Sequence, residues 1–198
     1  MLRVVTLILS LLMVSIPALS TFAQTVLTDV WKDKEPHAPM TKIAVFWILQ
    51  VPQNRLLAEN EFVRQLKERG IKAMPMYVVI PPDKFVEKDA ALTKLRDLGM
   101  DAVLSLRLTD RQTAQMQIPG TGPNDPLRLS GYYQYVYDAP TLGTSGPAYV
   151  ETNLFDVKSD RRIWTARSVS KIDAVNREVV TDFIRLMIDR LASDGMIP

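Results

Sequence analysis

The chain contains no cysteine and a single histidine, His37. The absence of cysteine excludes disulfide bonds, a cysteine nucleophile, a thiolate metal site and a lipid-modified cysteine behind a leader. One histidine cannot supply the usual zinc ligand sets, and a Ser-His-Asp triad would need His37, which we place in a tail. We therefore expect the fold to be held by core burial alone.

Glycine-rich phosphate-binding motifs are also missing. Neither GxGxxG nor GxxxxGK[ST] occurs, and the turn at residues 49–54, where a dinucleotide cradle would lie, has no glycine. The fragment at residues 120–122 (GTG) is flanked by prolines, which favours a plain turn. Ser145 does not stand in a G-x-S-x-G nucleophile elbow. We therefore expect no cofactor and no catalytic residues.

Charge of one sign never dominates. The sequence has 24 Lys and Arg against 22 Asp and Glu, a formal net charge of +2, and no run of five or six like charges. A nucleic-acid partner requires a basic stripe, and binding to an anionic membrane surface requires a polybasic cluster. Neither is present. The sequence also lacks an Asn-x-Ser/Thr acceptor, which favours a bacterial envelope over a eukaryotic secretory route.

Carboxylates are the remaining candidates for chemistry. Asp156 and Asp160 lie beside a predicted turn and could bind calcium weakly, although aspartate is equally favoured in turns for local hydrogen bonding. Solvated charge is the better explanation for four acidic residues on the predicted solvent faces of helices: Glu59, Glu61, Glu87 and Asp89.

The N-terminus, in contrast, carries a clear positive signal. Arg3 is the only charged residue among the first 28, and residues 4–19 form an almost unbroken apolar run followed by small residues. This pattern is typical of a secretory signal peptide over residues 1–23, cleaved between Ala23 and Gln24. The run is shorter than the roughly 20 residues of a membrane span. We expect an exported, periplasmic, soluble protein without a transmembrane segment once the leader is removed.

Hydrophobic periodicity predicts alternating strands and helices over the first half of the mature chain. The apolar run at residues 42–49 is typical of a strand buried on both faces. Right-handed crossovers place the first three strands in the spatial order 2-1-3. The further predicted elements are a helix ending at Arg69 before Gly70, a strand at 71–80, a helix at 85–98 with Leu98 facing inward before Gly99, and a strand at 101–108.

The second half is predicted to be antiparallel. A breaker-rich loop at residues 118–126 precedes strands at 130–137, 148–158 and 161–171. Ser159-Asp160 fits a two-residue hairpin turn, and in that register Phe155 would face Trp164. A final helix, capped by Asp173 and ending at Gly195, is predicted to bury Val179, Phe183, Leu186 and Leu191.

These elements predict an α/β fold with a mixed sheet and three main helices. We expect a single α/β domain over residues 42–198, preceded by an N-terminal tail or connector at residues 24–41.

Aromatic residues cluster on one predicted strand. Tyr133, Tyr135 and Tyr137 share a face by the two-residue period of a strand. Such a face can anchor a protein partner or stack on sugars, and it can equally pack into the core or a hairpin. We take these tyrosines, together with Pro119 and Pro123 of the preceding loop, as candidate partner-binding residues.

The order of elements resembles the small α/β domain of several bacterial envelope accessory proteins. The residues that carry the resemblance are at 42–46 (KIAVF), 66–70 (LKERG), 99–104 (GMDAVL) and 149–168 (YVETNLFDVKSDRRIWTARS). The similar families are the N-terminal domain of the Tol–Pal translocation protein, the curli-secretion family and the lipoprotein activators of penicillin-binding proteins. The resemblance implies a fold and a cellular location rather than a reaction. The chain differs from many such proteins in lacking a lipobox cysteine.

Three classes of function follow. The first is a non-enzymatic periplasmic binding or accessory protein that docks a protein or another envelope component, such as cell wall. The second is a small-molecule binder or carboxylate-dependent hydrolase, with a pocket at the carboxyl ends of the parallel strands lined by Gln50, Asn54, Arg107 and Asp110. The third is a structural role in an oligomer formed through an exposed edge of the final strands.

Overall fold

A computed structural model describes residues 25–48, 52–81, 88–109, 147–170 and 177–198. In this part of the chain no helix is long and apolar enough to cross a membrane. The described strands are β1 (Val26–Lys32), β2 (Lys42–Ile48), β3 (Lys72–Pro75), β4 (Ala102–Thr109), β5 (Ala148–Asp156) and β6 (Arg161–Ser170). The described helices are α1 (Pro52–Glu68), α2 (Lys88–Asp97) and α3 (Arg177–Ser193), and a 3-10 turn lies at Met76–Val78.

The described strands form one mixed sheet in the order β1-β6-β5-β4-β2-β3. Strand β2 runs parallel to β3 on one side and to β4 on the other, which confirms the predicted 2-1-3 arrangement of the first three predicted strands. Strands β4, β5, β6 and β1 are antiparallel. The α/β class, the mixed sheet and the C-terminal helix are confirmed.

Helices cover both faces of the sheet. On one face α1 and α3 pack over a core that contains Phe62, Phe183 and the ring of Trp47. On the other face α2 packs through Leu95 over Phe46 and neighbouring side chains. Because β2 lies between these two layers, its residues 43–47 are buried on both sides, as the continuous apolar run predicts.

Strand β1 lies within the segment that we expected to be a tail or connector. It pairs antiparallel with β6 from Val26 to Lys32, with an irregularity between Leu27 and Asp29, and forms one edge of the sheet. Its sequence, VLTDVWK, has no regular alternation because the irregularity shifts the side-chain period by one residue. The structure therefore corrects the expectation of a tail over this part of residues 24–41.

The β5–β6 hairpin has a different register from the predicted one. Phe155 lies opposite Arg162, and Trp164 lies opposite Leu154, with a register shift between Leu154 and Phe155. Phe155 and Trp164 belong to the cores on opposite faces of the sheet. The predicted aromatic pair is therefore wrong.

The cause is a turn of four residues, 157–160, in place of the predicted two. The Asp156 carboxylate accepts hydrogen bonds from the Lys158 N–H (2.8 Å) and the Ser159 hydroxyl (2.9 Å). Asp160 adopts a left-handed conformation with φ +59°, which aspartate tolerates better than most residues. Local side-chain hydrogen bonding thus sets the turn length and, through it, the register.

Two further expectations change around β3 and α2. The strand predicted at residues 71–80 ends at Pro75, and the chain continues as the 3-10 turn. Leu98, predicted to face inward, is 45% exposed just beyond the end of α2. The predicted helix stops are confirmed, because Gly70, Gly99 and Gly195 all have positive φ.

Among the described strands, β5 and β6 do not form an edge of the sheet, as the oligomer hypothesis expected of the final strands; the strand predicted at residues 130–137 lies outside the described residues. Strand β5 lies between β4 and β6, and β6 lies between β5 and β1, so both are interior. The edges formed by described residues are β1, which carries the irregularity, and the four-residue β3, which ends in proline. Both features discourage edge-to-edge pairing.

The C-terminus is anchored by a cluster around Asp194. Its carboxylate accepts hydrogen bonds from the Trp164 indole N–H (2.7 Å) and from Arg190 Nε (2.9 Å). The Met40 N–H donates to the Met196 carbonyl (2.8 Å), and the side chains of Met196 and Ile197 are buried. The last residues therefore complete the core beneath α3.

We expect Asp194→Ala to lower the free energy of unfolding by about 1 to 3 kcal/mol, because it leaves a buried indole N–H without its acceptor. Urea denaturation followed by tryptophan fluorescence measures this. Asp182→Ala is the matched control, since Asp182 forms an exposed ion pair with Arg185 on the same helix. Equal stability of the two variants would contradict the anchoring role.

Candidate functional site

The candidate site lies where β3 ends and the chain turns across the side of the sheet. Strand β2 pairs with β3 only as far as Val45 opposite Pro75. The next segment, residues 76–80 (the 76–80 turn), forms 3-10 hydrogen bonds, with the N–H groups of Val79 and Ile80 donating to the Met76 carbonyl. The backbone of β2 beyond Val45 therefore needs partners from outside the β2–β3 ladder.

Glu59 of α1 supplies those partners. Its Oε1 accepts a hydrogen bond from the Trp47 N–H on β2 (3.1 Å), and its Oε2 accepts one from the Tyr77 N–H in the 76–80 turn (3.0 Å). One carboxylate thus bridges the strand and the turn after the ladder has ended. Glu59 is fully buried, so the prediction that it lies on a solvent face is wrong.

Arg55 completes the arrangement one helical turn earlier. Its Nε donates to Glu59 Oε1 at 2.8 Å, and its Nη2 donates to the Ile80 carbonyl at 3.0 Å. The guanidinium carbon lies 5.0 Å from the centre of the Phe46 ring, within cation–π range. The buried ion pair therefore holds the beginning and the end of the 76–80 turn against α1.

Burial dominates the electrostatics of this pair. Desolvation raises the pKa of Glu59 above its ordinary value, although the charge and hydrogen bond of Arg55 and the two backbone N–H groups oppose that rise. Because Glu59 and Arg55 are bonded to each other and to backbone groups, we assign them a positioning role.

The outer side of the 76–80 turn is exposed. Val78 is 50% exposed, and the half-buried Tyr77 donates its hydroxyl hydrogen to Asn60 Oδ1 on α1 at 2.9 Å. Leu57, one turn before Asn60, is 71% exposed. On the other side, Lys94 of α2 donates to the Val78 carbonyl at 3.3 Å.

These contacts join the 76–80 turn to α1 on one side and to α2 on the other, and we call the residues around them the flank surface. Leu98 extends it by one helical turn beyond Lys94. Three of the four large hydrophobic side chains exposed in the described part of the chain belong to it, and the fourth, Val26, lies at the opposite edge of the sheet. The flank surface consists of Leu57, Asn60, Tyr77, Val78, Lys94 and Leu98.

A second ionic cluster lies across the antiparallel strands. Arg107 on β4, Glu151 on β5 and Arg167 on β6 are direct cross-strand neighbours. One Glu151 oxygen lies 3.1 Å from Arg107, and the other lies 3.2 Å from Arg167 Nε. Asn153 donates to Glu151 (3.1 Å) and accepts from the Thr165 hydroxyl (2.7 Å), which extends the network to the next cross-strand pair.

This ionic row is buried, since Glu151 is 2% and Arg167 3% exposed. Burial acts to raise the pKa of Glu151, but the charges of Arg107 and Arg167 and the Asn153 hydrogen bond together lower it below its ordinary value. The carboxylate is thus held ionised as the shared acceptor of two guanidinium groups. Its geometry ties three strands together in one register.

Only two of the four residues expected to line a pocket at the carboxyl ends of the parallel strands lie in the described part of the chain. Asn54 is exposed on the first turn of α1, whereas Arg107 is bound to Glu151 in the ionic row. Gln50 and Asp110 lie outside the described residues. The tentative partner-binding residues also lie outside them: Tyr133, Tyr135, Tyr137, Pro119 and Pro123.

The other candidate polar residues are engaged locally. His37 lies between β1 and β2, with Nε2 3.3 Å from Asp33. Both carboxylate oxygens of Asp156 accept hydrogen bonds within the hairpin turn. Within the described ranges no group of three or more His, Asp or Glu side chains is arranged to hold a metal ion.

Comparison with known proteins shows no family. No family model and no curated protein matches the sequence. Among solved structures, two crystal forms of the PelC dodecamer from Paraburkholderia phytofirmans are similar, each with 16% sequence identity. The first has a TM-score of 0.45, and the match covers 87% of this chain and 100% of the PelC chain. The second has a TM-score of 0.44, and the match covers 88% of this chain and 99% of the PelC chain.

Two further solved structures are similar. Lipoprotein GNA1162 from Neisseria meningitidis is 14% identical, with a TM-score of 0.41, over 77% of this chain and 96% of its own. The LpoB C-terminal domain from Salmonella enterica is 10% identical, with a TM-score of 0.35, and the match covers 67% of this chain and 84% of the LpoB chain. These matches assign the chain to no family and identify no site in it.

Sequence reasoning did not find the flank surface, although one signal was available. The predicted strand at residues 71–80 contains Pro75, and proline cannot donate to a ladder. An early end of the strand at Pro75 would have released the following aromatic and aliphatic residues from the sheet. The burial of Glu59 had no comparable signal, because its hydrogen-bond donors lie 12 and 18 residues away.

Proposed function

We propose that this chain is a non-enzymatic periplasmic accessory protein that docks a protein or another envelope component. The leader-like N-terminus supports export. The observation that carries the docking role is the flank surface, where Val78 is exposed on a turn held from beneath by the Arg55–Glu59 pair and Leu57 is exposed on the adjoining helix α1. The tyrosine-rich segment with Tyr133, Tyr135 and Tyr137, together with Pro119 and Pro123, remains a second proposed contact region.

The physical basis is the cost of leaving apolar surface in water. Burial of these exposed aliphatic side chains by a partner is favourable at about 25 cal/mol per Å² of apolar surface. The turn also has little freedom to lose on binding, since Glu59 holds its N–H group and Arg55 holds a carbonyl.

Site-specific photo-crosslinking in the native host tests this role. A photoreactive amino acid placed at Val78 is expected to give a discrete adduct, because that side chain is at the centre of the flank surface. Val26 is the matched control, since it is 46% exposed against 50% for Val78 but lies at the opposite edge of the sheet. A third probe at Tyr135 reports on the tyrosine-rich segment.

An adduct at position 78 that disappears in a Leu57→Asp background supports docking at the flank surface. An adduct at position 135 alone moves the docking site to the tyrosine-rich segment. Equal adducts at positions 78 and 26, or none at positions 78 and 135, would contradict the proposed function.

A further inference from the structure

We draw no further inference here: the strongest candidate, the buried polar face of β4, β5 and β6 that carries the Ser105 hydroxyl beside the ionic row, adjoins residues 110–146 outside the described ranges, and nothing in the described part of the chain shows what covers it.

Discussion

Glu59→Ala is expected to lower the free energy of unfolding by about 3 to 5 kcal/mol at neutral pH. The substitution leaves the Arg55 guanidinium buried without its carboxylate. It also removes the acceptor of the Trp47 and Tyr77 N–H groups, which lie where the β2–β3 ladder has ended. Urea denaturation monitored by circular dichroism gives the value.

Two further variants separate the ion pair from the general effect of substitution on α1. Glu59→Gln keeps one acceptor oxygen and is expected to fall between the wild type and Glu59→Ala. Glu68→Ala is the matched control, because Glu68 lies on the same helix in an exposed pair with Arg64 and should leave stability nearly unchanged. A Glu59→Ala protein as stable as Glu68→Ala would show that the carboxylate does not hold the turn.

The pH dependence of this effect follows from the raised pKa of Glu59. A carboxyl group whose pKa is higher in the folded state than in the unfolded state contributes stability that is complete at low pH. That contribution is lost as the pH rises through the folded-state pKa. The difference between the wild type and Glu59→Ala is therefore expected to be larger in acid than at neutral pH.

Glu151→Ala is expected to cost a similar amount, about 3 to 5 kcal/mol at neutral pH, because it removes the shared acceptor of two buried guanidinium groups. The loss of the Asn153 hydrogen bond adds to the effect. The matched control is Glu35→Ala, since Glu35 is exposed and lies 3.5 Å from Arg161. Denaturation of both variants in the same buffer makes the comparison.

The lowered pKa of Glu151 gives the opposite pH dependence. Its stabilising contribution is present above the ordinary glutamate pKa of about 4.3 and is lost as the pH falls through the lower folded-state value. The difference between the wild type and Glu151→Ala is therefore expected to shrink in acid, whereas that for Glu59→Ala grows. Parallel pH profiles for the two variants would contradict the assigned pKa directions.

Much of the fold could be predicted because it depends on neighbours in the sequence. The apolar run at residues 42–49 is typical of a strand buried on both faces, and β2 is such a strand. Glycines after amphipathic stretches marked the ends of the helices, since Gly70 and Gly195 adopt a backbone conformation that other residues rarely take. The 2-1-3 order followed from the handedness of crossovers.

The candidate site could not be predicted from these local sequence patterns. A glutamate in the polar stripe of a helix is usually solvated, and only the approach of β2 and the 76–80 turn makes Glu59 a buried acceptor. Leu98 was placed inward by helical spacing, but α2 ends at Asp97, one residue before it. Exposed and buried positions near element ends depend on what packs there.

The sequence alone determined the absence of cysteine chemistry and the order of most of the described elements, because composition, periodicity and turn residues act over a few positions. Tertiary structure alone decided that β1 joins the sheet, that Phe155 and Trp164 lie on opposite faces, that Glu59 is buried, and that Leu57, Val78 and Leu98 are exposed. The physical reason is that hydrogen bonding, desolvation and exposure depend on partners brought together from distant parts of the chain.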